Sequence, residues 1–300
     1  MARALITGIE GFTGRYLARE LTNAGHEVFG VTHAGGTSDE RTVACDLGDV
    51  VQLKSAVERV RPALVAHLAA VSFVAHGNAS EIYRTNVIGT RNLLAALAAL
   101  SEVPQSVLLA SSANVYGNAT AGVIDESIRP APANDYAVSK LAMEHMAGLW
   151  ATQLPLTIVR PFNYTGAGQS MNFLLPKIVS HFRQRASVLE LGNLNVTRDF
   201  SDVRDVVGCY RRLLDLQIGG QGPGGVLNVC SGHGYSLHEV LETVAGLAGY
   251  TPEVRINPDF VRANEVMKLV GSKQAIERLI GPVTSFSLRD TLQWMLGHSD

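Results

Sequence analysis

The sequence predicts an α/β fold: a doubly wound parallel sheet covered by helices on both faces, with a smaller α/β lobe attached. Three observations carry this. Short apolar, β-branched runs alternate with segments of helical spacing through the first half of the chain. Those runs lack the in–out alternation of a sheet with one wet face, as expected for parallel strands buried on both sides. Three glycines stand between the first such run and the first helical segment.

In chain order, strands are expected at Ala4–Thr7, Val28–Thr32, Ala63–Leu68, Ser106–Ala110 and Leu156–Arg160. Between them, helices are expected at Gly14–Ala24, Val50–Val60, Ile82–Leu100 and Tyr136–Gln153. The segment 82–100 ends in "NLLAALAAL", apolar enough to be covered by the sheet on one side and a second subunit on the other, which points to a homodimer. After Pro161 glycine, asparagine and proline become denser. Helices are expected there over Phe173–Arg185 and over Asp202–Asp215, with Asp202 at the start of the second. "IGGQGPGGVLNVCSG" reads as a Gly/Pro loop followed by a short strand, and Ser236 with Glu239 three residues on has the spacing of a capping box. Residues 1–161, completed by parts of 201–230, are expected to form the sheet domain; residues 162–300 form mainly the second lobe.

Composition narrows the function classes. The chain of 300 residues is 46% hydrophobic and 17% charged, which is globular and neither disordered nor membrane-spanning. A formal net charge of -2 argues against nucleic acid as a partner. Cys45, Cys209 and Cys230 are far apart and form no Cys-x-x-Cys pair, and no His-Glu-x-x-His occurs, so no metal site is expected. The opening "MARALITG" lacks the basic and long apolar regions of a signal peptide, and no apolar run approaches a membrane span, so a cytoplasmic location is expected.

The glycines are Gly8, Gly11 and Gly14 in "LITGIEGFTGRYL". At a strand-to-helix turn they permit close approach of backbone N–H groups to a pyrophosphate, with the helix N-terminus adding partial positive charge. This points to a Rossmann-type, dinucleotide-binding domain, although the spacing is G-x-x-G-x-x-G. The second strand ends in Thr32 and His33, with no acid to accept from the ribose 2′-OH of NAD. Arg15 and Arg41 are near enough in sequence to face a 2′-phosphate, so the expectation leans to NADP(H) without excluding NAD(H). Asp46, after the third strand, either accepts from the adenine amino group or caps a helix.

Tyr136 and Lys140 lie four residues apart in "YAVSK", on one face of a helix. A lysine there is expected to lower the phenol pKa and poise it for proton transfer at a carbonyl or carbinol. Ser112, 24 residues earlier, follows the preceding strand, so both groups and the glycine loop should meet at the carboxyl edge of the sheet.

"TGIEGFTG", "HLAA" (67–70), "NVIGT" (86–90), "SSANVYG", "YAVSK" and "RPFNYTGAGQ" (160–169) together resemble the extended short-chain dehydrogenases/reductases, the NAD(P)-dependent nucleotide-sugar epimerases, dehydratases and reductases. The resemblance implies catalytic Ser112, Tyr136 and Lys140, with Ser112 chosen over Ser111 by register against Tyr116, which reads as a packing residue. It also implies cofactor contacts from Gly8, Gly11, Phe12, Thr13, Gly14, Asp46, Leu47, Leu68, Ala69, Ala70, Asn86, Tyr136, Lys140, Pro161 and Asn163. Asn114 stands where the related dehydratases carry a glutamate base, and a carboxamide cannot serve as that base.

The segments 191–207, 227–232 and 262–272 resemble the branch of the family that reduces a GDP-4-keto-6-deoxy sugar to GDP-D-rhamnose. By that resemblance a GDP-sugar would meet Ser112, Asn163, Lys177, Arg198, Arg262 and Glu265, the arginines acting as forks on the diphosphate. Two alternatives stay open: a 4-epimerase that keeps its NAD, and a non-catalytic NADP-binding protein on the same scaffold.

Overall fold

The computed structural model describes all residues except 34, 37, 73–77, 119–121, 219–223, 261–265 and 299–300. In chain order its elements are β1 (Arg3–Thr7), α1 (Phe12–Asn23), β2 (Glu27–Thr32), β3 (Thr42–Ala44), α2 (Val50–Val60), β4 (Leu64–His67), α3 (Ala79–Tyr83), a π-turn (Arg84–Gly89) and α4 (Thr90–Ala98). Then come β5 (Ser106–Ala110), a 3₁₀ turn (Ala113–Tyr116), α5 (Asp135–Gly148), β6 (Leu156–Pro161), β7 (Asn163–Thr165), α6 (Leu174–Arg183), β8 (Val188–Leu191) and β9 (Thr197–Asp202). The chain closes with α7 (Val203–Ile218), β10 (Gly225–Val229), β11 (Gly234–Ser236), α8 (Leu237–Ala248), β12 (Glu253–Ile256), a 3₁₀ turn (Pro258–Phe260), β13 (Lys268–Leu269), α9 (Gln274–Ile280) and α10 (Leu288–Gly297).

Seven strands form one parallel sheet in the order β10-β6-β5-β4-β1-β2-β3. The direction of winding reverses between β1 and β4, which opens a crevice at their carboxyl ends. Strands such as Leu64–His67 and Leu156–Pro161 are buried along their whole length, so both faces must be covered. On one face Leu53 and Val57 of α2, Leu93 and Leu97 of α4, and Met143 of α5 pack against Leu5, Val65 and Val107. On the other, Leu17 and Leu21 of α1, Val206 and Tyr210 of α7, and Ile276 of α9 pack against Ile6, Ala66 and Val159. Thus β10 and α7, late in the chain, complete the sheet layer that begins at the N-terminus.

The expected single helix over 82–100 is interrupted. A helix capped by Asn78 starts at Ala79, and the π-turn at Arg84–Gly89 widens it before α4. The wide turn accommodates a polar side chain, Asn86, that a regular apolar helix face does not hold.

The second lobe is built on β9, which pairs in parallel with β7 and β13 and antiparallel with β11; β8 pairs with β12. These strands are two to six residues long, too short to show a pattern in the sequence. Helices α6, α8 and α10 cover them through Ile178, Val240 and Leu292. Ser236 and Glu239 form the expected capping box on α8. Asp202 ends β9 and accepts from the backbone N–H of Arg204 at 2.8 Å, so it starts α7 as expected. The lobes are tied together by Asp199 of β9, whose carboxylate accepts from the N–H groups of Ser231, Gly232 and Gly271.

Candidate active site

A cleft of about 800 Å³ runs along the carboxyl edge of the sheet, lined by Gly8, Gly11, Thr32, Asp46, Leu47, Ala69, Ala70 and Arg84 among others. At its centre is the glycine loop. Gly8 has φ 74° and donates to Val31 O at 2.7 Å; a Cβ there would stand 2.9 Å from Ala69 N. Helix α1 begins at Gly11 with no side chain capping its first turn, whereas Asp49 caps α2 and Asn134 caps α5. The amide groups of that turn therefore face the cleft ready for an anion, which fits a dinucleotide pyrophosphate.

Ser112, Tyr136 and Lys140 are not among the residues lining this cleft; Tyr136 and Lys140 connect to its wall through Asn86, which bonds both Val71 and Ser139 of α5. Ser112 follows β5 and is buried; its Oγ accepts from Asn114 N at 3.2 Å and neighbours the Tyr136 phenol. Tyr136 is in the first turn of α5, with Lys140 one turn further. The turn leaving Ser112 depends on Gly117, at φ 55°, where a Cβ would lie 1.8 Å from Ala131 O.

The electrostatics differ from the expectation. Burial pushes the Tyr136 phenol up, the neighbouring Tyr164 pushes the same way, and the Ser112 hydrogen bond only partly opposes them. The Lys140 ammonium lies 6.0 Å from the Tyr136 ring and donates to Ala110 O at 2.7 Å. Burial brings Lys140 itself down to about 8, against the attraction of Glu144. Desolvation outweighs the lysine here because the charge is held one helical turn away and turned toward a carbonyl. Tyr136 is accordingly a protonated acid, ready to donate.

A continuous buried chain of polar contacts fixes this region. Thr7 Oγ1 meets His67 Nδ1 at 2.6 Å, His67 Nε2 meets Thr90 Oγ1 at 2.8 Å, and Thr90 donates to Asn86 O at 2.7 Å. Asn86 Nδ2 donates to Ser139 Oγ at 3.0 Å, and Ser139 donates to Tyr136 O at 2.8 Å. Asn86 also pairs with both backbone groups of Val71, a cleft-lining residue. Behind the site, Arg160 makes a bidentate bond to Glu144 at 2.9 and 2.6 Å, and Ser111 donates to the same carboxylate. Ser111 is therefore a buried tie to α5. Tyr116 is packing, as expected: fully buried, with Arg160 over its ring at 4.8 Å and its hydroxyl donating to Asn228.

Other expected site residues fall as follows. Phe12 stacks on Tyr164, and Thr13 bonds the Tyr164 hydroxyl at 2.8 Å, bringing Tyr164 to the cofactor loop. Leu68 packs under the sheet edge, Pro161 ends β6, and Asn163 opens β7, exposed. Asp46 lines the cleft but does not cap α2; it accepts from Gly48 N and pairs with Arg84 at 3.0 Å. Arg15 does not reach the end of β2, since its guanidinium donates to Gly168 O at 3.3 Å. Arg41 is exposed ahead of β3 and is not among the residues lining the cleft.

In the second lobe Lys177 donates to Glu190 O at 2.9 Å and stands 4.0 Å over the Phe260 ring. Arg198 donates to Thr197 O and Met267 O. Phe260 and Met267 flank the segment that holds Arg262 and Glu265, two expected contacts that lie outside the described residues.

With this geometry in view, known proteins were compared with the chain. Residues 4–230 match the family described as NAD dependent epimerase/dehydratase. The chain belongs to that family. Among curated relatives it is 35% identical to GDP-6-deoxy-D-talose 4-dehydrogenase of Aggregatibacter actinomycetemcomitans, across 98% of this chain and 96% of that protein. It is 32% identical to GDP-6-deoxy-D-mannose reductase of Pseudomonas aeruginosa over the same shares. Among solved structures, a candidate epimerase from Burkholderia cenocepacia is 49% identical with a TM-score of 0.91, covering 98% of this chain and 96% of that one. RMD from Pseudomonas aeruginosa, complexed with NADPH, is 30% identical with a TM-score of 0.84, covering 99% and 98%. The cofactor of the family is a nicotinamide dinucleotide, in its NAD or NADP form.

Proposed function

We propose that the chain reduces the C4 keto group of GDP-4-keto-6-deoxy-D-mannose to give GDP-D-rhamnose. The observation that carries this reading is a protonated Tyr136 on α5 with the Ser112 hydroxyl as its neighbour and Lys140 one turn on, joined through Ser139 and Asn86 to the wall of a cleft of about 800 Å³. The dihydronicotinamide, when bound, supplies hydride to the keto carbon. Tyr136 donates its proton to the oxygen at which negative charge develops. Ser112 hydrogen-bonds that oxygen and orients the carbonyl, and the buried chain through Asn86 and Ser139 holds the Tyr136 backbone in place. Lys140 holds the cofactor ribose and adds positive charge beneath the site.

Asn114 is exposed at the site, two residues after Ser112, and offers no carboxylate to remove a C5 proton, so the reading stops at C4 oxidoreduction. Lys177, Arg198, Arg262 and Glu265 are assigned to the nucleotide-sugar, and the chain's similarity to two GDP-sugar enzymes supports that assignment. Pairing of two chains through α4 and α5 belongs to the same reading; Val138 on α5, Leu149 just after it and Ile88 in the π-turn before α4 are exposed apolar residues.

A second reading is favoured by the Aggregatibacter relative. Oxidation of a 6-deoxytalosyl C4 hydroxyl yields the same 4-keto sugar, so the two readings differ only in the face that receives hydride. The test is to incubate the chain with GDP-4-keto-6-deoxymannose and each reduced cofactor, follow loss of nicotinamide absorbance, and identify the product sugar by NMR. Stoichiometric cofactor consumption with GDP-D-rhamnose is the expected result. A 6-deoxytalose product selects the second reading, and no net consumption overturns both in favour of an epimerase.

A further inference from the structure

The turn that opens α1 is poorly placed to hold its own shape. Three of the seven residues from Gly8 to Gly14 are glycine, and no side chain caps the first turn of the helix. Such a backbone moves cheaply between conformations, so the amides it presents to an anion have to be held from outside.

The hold comes from the second lobe. Tyr164 of β7 stacks its ring on Phe12, with centroids 6.2 Å apart and planes 15° from parallel, and its hydroxyl bonds Thr13 Oγ1 at 2.8 Å. Phe12 and Thr13 are the first two residues of α1. One turn further on, Tyr16 donates to Ala167 O at 2.8 Å. The short segment 164–167 thus meets both of the first two turns of the helix.

This grip has a firm base. β7 pairs with β9, placing Tyr164 beside Ser201, and Gln169 Nε2 donates to Tyr164 O at 3.2 Å. Gly166 is packed so closely that a Cβ there would lie 2.6 Å from Val203 Cγ1 and 2.9 Å from the Trp294 ring. Burial pushes the Tyr164 phenol up, so the hydroxyl keeps its proton and the pair with Thr13 stays neutral.

We infer that Tyr164 is a positioning residue for the cofactor: through Thr13, its hydroxyl holds the first turn of α1 in the shape that receives the dinucleotide pyrophosphate. The inference rests on the cofactor site of the proposed function and is independent of the sugar reduced. A turn that is competent for only part of the time binds its ligand more weakly by that fraction. Removing one part-buried hydrogen bond should therefore weaken binding by roughly three- to tenfold.

The test is calorimetric titration, without sugar, with NADH and with ADP-ribose, which carries the diphosphate and no nicotinamide. Tyr164→Phe keeps the ring stack and removes the bond, Thr13→Val removes it from the other side, and Thr13→Ser keeps it. The first two should each lose about three- to tenfold in affinity for both ligands. The double variant Tyr164→Phe with Thr13→Val should lose no more than the weaker single, because both remove the same bond, and Thr13→Ser should stay within about twofold of wild type. A contact that only packs the lobes would lower stability in urea and leave affinity unmoved. That result, or losses that multiply in the double variant, would overturn the inference. Should Tyr164→Phe fold poorly, the pair Thr13→Val and Thr13→Ser decides, and equal affinities overturn it. A chain that reduces the keto sugar while Tyr164→Phe binds ADP-ribose as wild type does overturns this inference alone. One whose affinity follows Tyr164 but that reduces no such sugar overturns the proposed function alone.

Discussion

Ser112 and Lys140 are buried and Tyr136 is partly so, with the Tyr136 backbone held by a polar chain running from Thr7 through His67, Thr90, Asn86 and Ser139. In the cleft itself, Glu10 is an exposed loop side chain meeting Thr32 across a turn. The first arrangement fixes the position of a proton against competing water, and burial sets its titration. The second is an exposed contact between a loop and a strand end, which tolerates movement. Chemistry at a bond needs the rigid kind of site.

The comparison is broken most severely at the rigid end. Tyr136→Phe keeps the ring and removes the proton, so kcat for C4 reduction should fall by roughly 10²- to 10⁴-fold while NADH affinity stays close to wild type. Steady-state kinetics beside a binding titration checks this, and an unchanged kcat would sink the mechanism. Arg160→Met leaves the Glu144 carboxylate buried beneath the site without its bidentate partner. Urea unfolding at neutral pH should show a loss of about 3–5 kcal/mol, with a smaller loss for the double change Arg160→Met with Glu144→Leu.

The buried chain also makes a pH prediction. His67 is held neutral, its pKa pushed down to about 3 by burial and then by Lys140. Its unfolded form takes up a proton near the usual 6.5, so stability is complete above that value and falls as pH drops from 6.5 toward 3. Between pH 7 and pH 5 the wild type should lose about 2 kcal/mol more than His67→Gln, measured by paired denaturant curves. Equal pH slopes would show that the imidazole is not the group responsible. Smallest of all should be Arg84→Ala at the open end. Its ion pair with Asp46 is exposed, so stability should change by about 1 kcal/mol or less, and a larger loss would mean that this end is more rigid than its exposure suggests.

Much of the rigid end was legible because its residues are fixed by local spacing. Tyr136 and Lys140 share a helix face by their four-residue separation, and Ser112 follows a strand whose apolar run is unmistakable. Tyr164 was not singled out, since it reaches Thr13 only through packing of residues 151 positions apart. The π-turn at Arg84–Gly89 was hidden because apolar periodicity on either side of it is helical. Glu10 carried one signal, an acid inside a glycine loop, but the sequence does not say which way such a side chain turns.

What the sequence by itself determined is the alternation of strand and helix, the glycine turn, the triad on its elements and the missing base at Asn114, all set by periodicity, backbone freedom or side-chain chemistry over short separations. Tertiary structure alone decided that burial, and not Lys140, governs Tyr136, that β10 and α7 complete the sheet, and that Glu10 stands at the end of β2. Each of these depends on which groups lose water to neighbours distant in the chain, and desolvation is a property of the packed molecule.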